Sequence, residues 1–329
     1  MSFLACRVHQ RGDGVEPRLE TLGLDDLSAG DVVIRARWSG INFKDALAVT
    51  GRGKILRRFP LNAGIDVSGV VESSSDPRFA PGQPVLVNGM GLGEAHDGGF
   101  SQVVRVPGDW VVRLPAGLDL REAMILGTAG FTAALALHRM EQNEQAPAQG
   151  PVAVTGATGG VGSVAVQLLA ARGYTVVAVS GRPEHHGYLR SLGAHEVRTP
   201  EELQLGRRPL ESARFGGAVD NVGGELLAGL VRHVGLFGNV AVIGNASAAD
   251  LATTVFPFIL RGVSLLGISS ANCPMALRQS VWDRLGAELK PAALERVVSG
   301  TVPLRDVVTA AARLVERSGL GRVLVDCSA

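Results

Sequence analysis

The sequence predicts an α/β protein in which a doubly wound parallel sheet is joined to a strand-rich second domain. Three observations carry that expectation. A β-branched run at residues 151–155 passes into a glycine cluster and then into helical spacing at Val161, Val164, Ala165, Leu168 and Leu169, which reads as strand, tight turn and helix. A second buried strand at residues 175–179 follows the stop at Gly173, which completes a βαβ unit. The first hundred or so residues are rich in strand patterns and contain no glycine-rich helix start, so they form a different kind of domain.

The glycine cluster is the first element to justify. Gly156, Gly159 and Gly162 are spaced G-x-x-G-x-x-G, and glycines without a Cβ let backbone approach a pyrophosphate at a helix N-terminus with unpaired N–H groups. Thr158, Gly159, Gly160, Val161 and Gly162 are the expected cradle. The next strand ends in Ser180, Gly181 and Arg182, with no acid to take a ribose 2′-hydroxyl. A hydroxyl, a close-approach glycine and a guanidinium suit a 2′-phosphate, so the expected cofactor is NADPH; the competing reading of Arg182 is a solvated loop arginine.

Taken in order, residues 3–8 and 31–39 read as strands, and a polar turn at residues 40–42 leads into a short helix that stops at Gly51. Strands follow at 66–72, 83–88, 100–106 and 109–114, which suggests a partly closed β-domain. A changeover falls near residues 123–137, where the small residues from Gly127 continue as an apolar helix, and a polar loop follows at 141–150. Beyond the βαβ unit come a helix at 184–192, a weak strand at 196–197, strands at 217–221, 238–243 and 263–268, and a helix at 225–234. Helices at 275–289 and 304–318 and a strand at 322–325 close the chain. Asn221 and Val222, Gly244 and Asn245, and Ser269 and Ser270 end strands, where doubly wound folds bind ligands.

Composition narrows the class. Hydrophobic residues at 46% and charged residues at 19% fit a folded enzyme rather than a disordered chain, and a net charge of +1 gives no reason to expect nucleic acid or a membrane as partner. Cys6, Cys273 and Cys327 are too few and too scattered for a disulfide framework or a cysteine-built zinc lobe. The N-terminal apolar stretch is too short for a signal peptide and no apolar run reaches membrane length, so the expected location is the cytoplasm.

Several motifs in one order resemble the medium-chain dehydrogenase/reductase superfamily: residues 42–47, Pro60 with residues 64–66, 108–110, 127–132, the glycine cluster, 179–182, and Gly321 with Arg322. The resemblance covers essentially the whole chain and is nearest to the zinc-free branch, in which bacterial NADPH-dependent acryloyl-CoA reductases are often labelled quinone oxidoreductases. It implies a GroES-like β-rich catalytic domain at residues 1–124 and 269–329, a Rossmann domain at 125–268, a cleft between them, and a homodimer. In the zinc alcohol dehydrogenases, stretches similar to these carry ligands at the places of Asn42 and Ile65 and near Thr128. Asparagine and isoleucine are poor zinc ligands, so no metal is expected. His96, His138, His185, His186, His195 and His233 are read as surface or supporting residues.

Without a Lewis acid, the natural reaction is reduction of a carbon–carbon double bond conjugated to a carbonyl, by direct hydride transfer. The resemblance places Asn42, Lys44 and Asp45 on the catalytic loop. Asn42 is assigned as an orienting or oxyanion group; Lys44 is either a donor or a solvated lysine, and Asp45 either a contact or a helix cap. Thr128 takes the vacated ligand position beside the cofactor, and Arg322 either lies near the cofactor or anchors the last strand. Arg52, Arg57 and Arg58 form a basic run that either holds coenzyme A phosphates or is a solvated face. The resemblance alone suggests acryloyl-CoA as substrate. The alternatives are an NADPH:quinone oxidoreductase and a non-catalytic NADPH-binding protein.

Overall fold

A computed structural model describes residues 2–316 and 319–329. Cα packing divides the chain into two compact units, one of Met1–Ala129, Ser270–Glu288 and Val297–Ala329, the other of Gly130–Ser269 and Leu289–Arg296.

The first unit opens with β1 (Ser2–Arg11), β2 (Gly14–Gly23), β3 (Val32–Ile41), α1 (Phe43–Thr50), β4 (Leu61–Asn62), β5 (Asp66–Ser74), β6 (Pro84–Asn88), β7 (Val103–Val106) and β8 (Val112–Arg113), and α2 (Leu120–Gln142) begins in it. The second unit holds β9 (Val152–Thr155), α3 (Gly160–Ala171), β10 (Val176–Val179), α4 (His186–Ser191), β11 (Glu196–Arg198), β12 (Phe215–Asp220), α5 (Gly224–His233), β13 (Val234–Val242), α6 (Phe256–Arg261) and β14 (Ser264–Gly267). The chain then returns to the first unit with α7 (Met275–Leu285), β15 (Val298–Pro303), α8 (Val307–Val315) and β16 (Arg322–Asp326).

In the first unit a three-stranded sheet runs β2-β1-β4 and a seven-stranded sheet runs β15-β16-β3-β5-β6-β8, with β7 also paired to β3. Their inward side chains, among them Val8, Ile34, Val67, Val87, Phe100, Leu304 and Val325, make one apolar core. The register matters for function. Val323 pairs with Ile41 and Trp38 with Ser68, so Arg322, Asn42 and Asp66 sit at neighbouring ends of β16, β3 and β5.

The second unit is a six-stranded parallel sheet, β11-β10-β9-β12-β13-β14, packed around Ala153, Val177, Ala218, Leu227 and Val240. Strand order reverses between β9 and β12, and a parallel sheet binds ligands outside the carboxyl ends of its strands at such a point. β14 is an edge strand among the described residues, and Leu236 and Phe237 on β13 and Val255, Phe256, Ile259 and Leu260 at α6 are exposed.

Several elements differ from expectation. β2 has no counterpart among the expected elements, since its residues are polar and include Pro17; its pairing with β1 over ten residues makes it a strand. α6 and β15 were also missed, both too short to show a period. The polar loop expected from residue 141 begins only after Gln142, and the expected strand at 109–114 is a 3-10 turn at Gly108–Trp110 followed by the two residues of β8. The helix expected to reach 318 is a 3-10 turn at Leu304–Asp306 followed by α8; residues 317 and 318 lie outside the described residues.

The expectation that no apolar run reaches membrane length also needs correction. α2 is 23 residues long with a mean hydropathy of 1.3 over its most apolar window. That window is 78% buried and the helix breaks at Gly127, which is how a core helix behaves.

Candidate functional site

In the first unit one buried carboxylate gathers three separate stretches of chain. Asp66, 0% exposed, accepts from Thr128 N (3.0 and 2.9 Å), from Thr128 Oγ1 (2.6 Å) and from Asn42 Nδ2 (2.8 Å), with Arg322 Nη2 at 3.4 Å. Arg322, 2% exposed, donates as well to Asn42 Oδ1 (2.8 Å) and to the Ile125, Ile41 and Met124 carbonyls. A buried charge survives only when paired and hydrogen-bonded, and both are. Burial pushes the Arg322 guanidinium down, and Asp66 and Asp45 oppose that push.

Backbone geometry makes room for this pair. Gly127 breaks α2 with φ 49° and ψ −153°, and a Cβ there would lie 2.5 Å from Asp66 Oδ2 and 2.6 Å from Arg322 Nη2. The break also turns the Thr128 N–H from the helix toward Asp66.

Asn42 is the N-cap of α1 and Asp45 its third residue. Asp45 Oδ2 accepts from Asn42 N (2.8 Å) and Nδ2 (3.1 Å), and its Oδ1 accepts from Ile65 N (2.9 Å). Of the two readings of Asp45, this is the cap. Burial, then the nearby Asp66, push its carboxyl up to about 7, against those three donors. Asn42 is engaged through both ends of its amide, an arrangement that orients rather than donates to an oxyanion. Lys44 differs: its side chain is 38% exposed, and Nζ lies 2.9 Å from Glu94 Oε1.

The basic run splits. Arg58 is exposed but donates to the Ala95 carbonyl (3.0 Å) and to the buried Asp97 (3.3 Å), which makes it a structural tie. Arg52 and Arg57 are exposed.

In the second unit the glycine turn lies between β9 and α3. Gly159 caps α3, so the amides of Gly160, Val161 and Gly162 form the first helical turn, where no intrahelical acceptor exists. A Cβ on Gly162 would meet the Gly156 carbonyl oxygen at 2.5 Å, so the helix can start this close to the strand only with glycine there. Across the reversal in strand order, Thr155 Oγ1 donates to Asp220 Oδ1 (2.6 Å) and accepts from Asn221 N (2.9 Å), while Asn221 Nδ2 donates to the Thr155 carbonyl (2.8 Å). Asn221 Oδ1 is buried without a partner. Burial raises the Asp220 carboxyl. Val222 and Gly244 lie in the same loops, Asn245 and Ser269 are exposed, and the Ser270 carbonyl, in the first unit, accepts from Arg278 (2.8 Å). Ser180 follows β10, its Oγ accepts from Arg182 N (3.2 Å), and the Arg182 guanidinium reaches Thr158 Oγ1.

These residues fit a dinucleotide: amides at a helix start, a buried Asn221 acceptor with no partner among the described residues at the strand reversal, and the Arg182 cation just after β10. Asp66, Asp220 and Glu94 were not singled out from sequence. Their available signal was an acid at the start or end of an otherwise apolar strand for the first two; Glu94 had none.

Comparison with known proteins agrees with the geometry. The family model for the alcohol dehydrogenase GroES-like domain matches residues 28–116, and that for zinc-binding dehydrogenase matches residues 160–287. YhfP of Bacillus subtilis, a protein named among the quinone oxidoreductases, is 47% identical over 98% of both chains. The chain belongs to the medium-chain dehydrogenase/reductase family. Within that family, acrylyl-CoA reductase AcuI of Ruegeria pomeroyi is 45% identical over 94% of both chains. Among solved structures, the yhdH oxidoreductase of Salmonella enterica in complex with NADP superposes with a TM-score of 0.95, at 44% identity over 98% of this chain and 99% of that one. The Bacillus subtilis yhfP structure, with NAD bound, gives 0.96 at 46% identity over 99% of both. One family model carries zinc in its description, yet among the described residues no group of three His, Cys, Asp or Glu side chains converges.

Proposed function

We propose that this family member is an NADPH-dependent reductase of a carbon–carbon double bond conjugated to a carbonyl, with acryloyl-CoA, giving propionyl-CoA, as its best substrate. One observation carries the reading: the stretches around residues 42, 65 and 128 are tied together by hydrogen bonds from Asn42 and Thr128, both poor metal ligands, to an Asp66 carboxylate that is already paired with Arg322. Such a site suits an alkene that the substrate's own carbonyl already activates. Close likeness to AcuI over nearly the full chain supports the thioester.

Bound NADPH supplies the hydride. Thr158, Gly159, Gly160, Val161 and Gly162 hold its pyrophosphate, and Ser180, Gly181 and Arg182 its 2′-phosphate. Asn221, Val222, Gly244, Asn245, Ser269, Ser270 and Thr128 line its remainder. Asn42 and Arg322 act by orienting, since both are consumed in the Asp66 cluster, and Lys44 is the donor of this segment. Arg52 and Arg57 are the cations left for coenzyme A phosphates, with Arg58 withdrawn to Asp97. The protein acts in the cytoplasm as a homodimer, a reading favoured by its three buried free cysteines and by the apolar β14 edge.

A second reading, an NADPH:quinone oxidoreductase, is favoured by the name of YhfP. Steady-state NADPH and NADH oxidation on acryloyl-CoA, crotonyl-CoA, simple enones and a benzoquinone separates the two. Highest kcat/KM on acryloyl-CoA with NADPH is expected; highest kcat/KM on the quinone, or with NADH, contradicts the reading.

A further inference from the structure

Reduction of a conjugated double bond leaves an electron pair on the carbon next to the carbonyl, and a proton must be delivered there. The side chains usually suited to that task are engaged elsewhere. Tyr174 gives its hydroxyl proton to the Gln145 carbonyl (2.9 Å), Tyr188 gives its own to Ser163 Oγ (3.0 Å), and the sequence holds no other tyrosine. Asp45, Asp66 and Arg322 are 1%, 0% and 2% exposed, and Asn42 is bonded through both ends of its amide. Arginine does not give up its proton, and of the 32 basic residues only Lys44, Lys54 and Lys290 are lysines. Along residues 42–45 this leaves Lys44. Its ammonium carries three protons, and its bond to Glu94 Oε1 at 2.9 Å uses one.

Glu94 is held unusually firmly for an acid at the surface. It follows a run in which Gly89, Met90, Gly91 and Gly93 all have positive φ, of 71°, 59°, 94° and 66°. A side-chain-bearing residue such as Met90 stays in that region only where its surroundings hold it. Here they do: Met90 N donates to the Ala271 carbonyl (2.9 Å), Gly93 N to the His96 carbonyl (2.8 Å), and the amides of Glu94, Ala95 and His96 all reach the Gly91 carbonyl. Leu92 is fully buried, and His96 packs edge-on against Trp110 with ring centroids 4.9 Å apart. The Glu94 carbonyl accepts from Arg57 N (2.8 Å), and its side chain is only 14% exposed. An ion pair near the surface adds little to stability, so stability gives no reason for a strained and anchored loop to present this carboxylate to Lys44. Placement of the ammonium does.

We propose that Glu94 is a positioning residue that holds Lys44 as the proton source of the reduction. The proposal rests on the conjugated-alkene reading above. As hydride adds to the β-carbon, the π electron pair of the double bond shifts onto the α-carbon and carbonyl. An N–H bond of Lys44 then breaks, a C–H bond forms at the α-carbon with that pair, and the neutral amine regains a proton from water. Glu94 stays a carboxylate throughout and exchanges no electrons.

The test has one readout independent of turnover. With limiting amine-reactive ester and peptide mass spectrometry, Glu94→Gln and Glu94→Ala should raise labelling of Lys44 by about threefold, the release expected on losing a modest ion pair. Glu94→Asp should lie between them and the parent, and Lys54 serves as the internal control. In turnover, Lys44→Met should lower kcat by about a hundredfold, the scale of a lost general acid, with NADPH affinity by fluorescence unchanged. Glu94→Gln should lower kcat by about tenfold at the same NADPH affinity, and Glu94→Asp should restore most of it. Unchanged Lys44 labelling in the Glu94 variants, or a Lys44→Met enzyme with parental kcat, overturns the proposal. Should Glu94→Gln and Glu94→Ala not fold, the conservative Glu94→Asp carries the Glu94 arm, with raised Lys44 labelling expected and unchanged labelling overturning the proposal. A parent protein that oxidises no NADPH with any enoyl thioester or enone defeats the underlying reading instead, which is a separate outcome.

Discussion

At the scale of single residues, the account turns on charges taken out of water. Asp66 and Arg322 each cost several kcal/mol to bury, of about the size that pairing and full hydrogen bonding can offset, and Asn42, Thr128 and three backbone carbonyls supply those hydrogen bonds. Asp45 is the member whose protonation should be visible. Its folded value of about 7 lies above its ordinary value of 3.8, so between the two the folded chain binds more protons than the unfolded chain. The stability contributed by this group is therefore full below about pH 4 and lost as pH rises through about 7. Thermal denaturation of the parent and of Asp45→Asn should show the parent losing ground to the variant from pH 5 to pH 8. A stability difference that does not vary with pH would show that Asp45 titrates elsewhere.

Among the elements, α2 shows how local backbone serves the cluster. Gly127 sits inside a helix at a dihedral pair that only glycine adopts readily, and its missing Cβ leaves the gap that Asp66 and Arg322 occupy. Gly127→Ala should destabilise the fold by at least about 2 kcal/mol, through backbone strain and the close approach together. Calorimetry should then find Tm lower by about 4 °C or more. An unchanged Tm would mean that the kink is not held by the cluster. The same element marks what sequence could and could not reveal. The small residues around Gly127 read only as the start of an apolar helix, with no sign of the break there, whereas the run from Gly156 to Gly162 announced strand, turn and helix, because glycine spacing and apolar period are local signals. Asp66 carried only one local signal, an acid at the start of an apolar strand, and nothing local pointed to its partners at residues 42, 128 and 322, which the register of β16, β3 and β5 helps to bring together. β2 was illegible for a related reason: its polar residues look like a loop until β1 pairs with them. Lys44 and Asp45 were left with two readings each because a cap and a contact use the same residue types; burial distinguishes them, leaving Asp45 enclosed and Lys44 exposed.

For the whole molecule, the parallel sheet of the second unit ends at β14, which pairs with no strand beyond β13 among the described residues, and β13 and α6 carry six exposed large apolar side chains. An edge of this kind invites pairing with another strand, and a two-fold axis lets the same edge meet its own copy. Light scattering should find a dimer for the parent chain and a monomer for Ile259→Glu with Phe237→Glu. A monomeric parent would remove the homodimer from the account. The cofactor turn and the Asp66 cluster are built by different mechanisms, one from free amides at a helix start and one from a buried ion pair. The proposed reduction, in which hydride passes directly from NADPH to carbon, calls on both. The most direct measurement of that claim uses NADPH carrying deuterium at nicotinamide C4, in each epimer, with acryloyl-CoA in ordinary water. The account predicts one deuterium at the β-carbon of the propionyl product from one epimer only, with the α-proton drawn from water. Deuterium lost to solvent, or placed at the α-carbon, would contradict it.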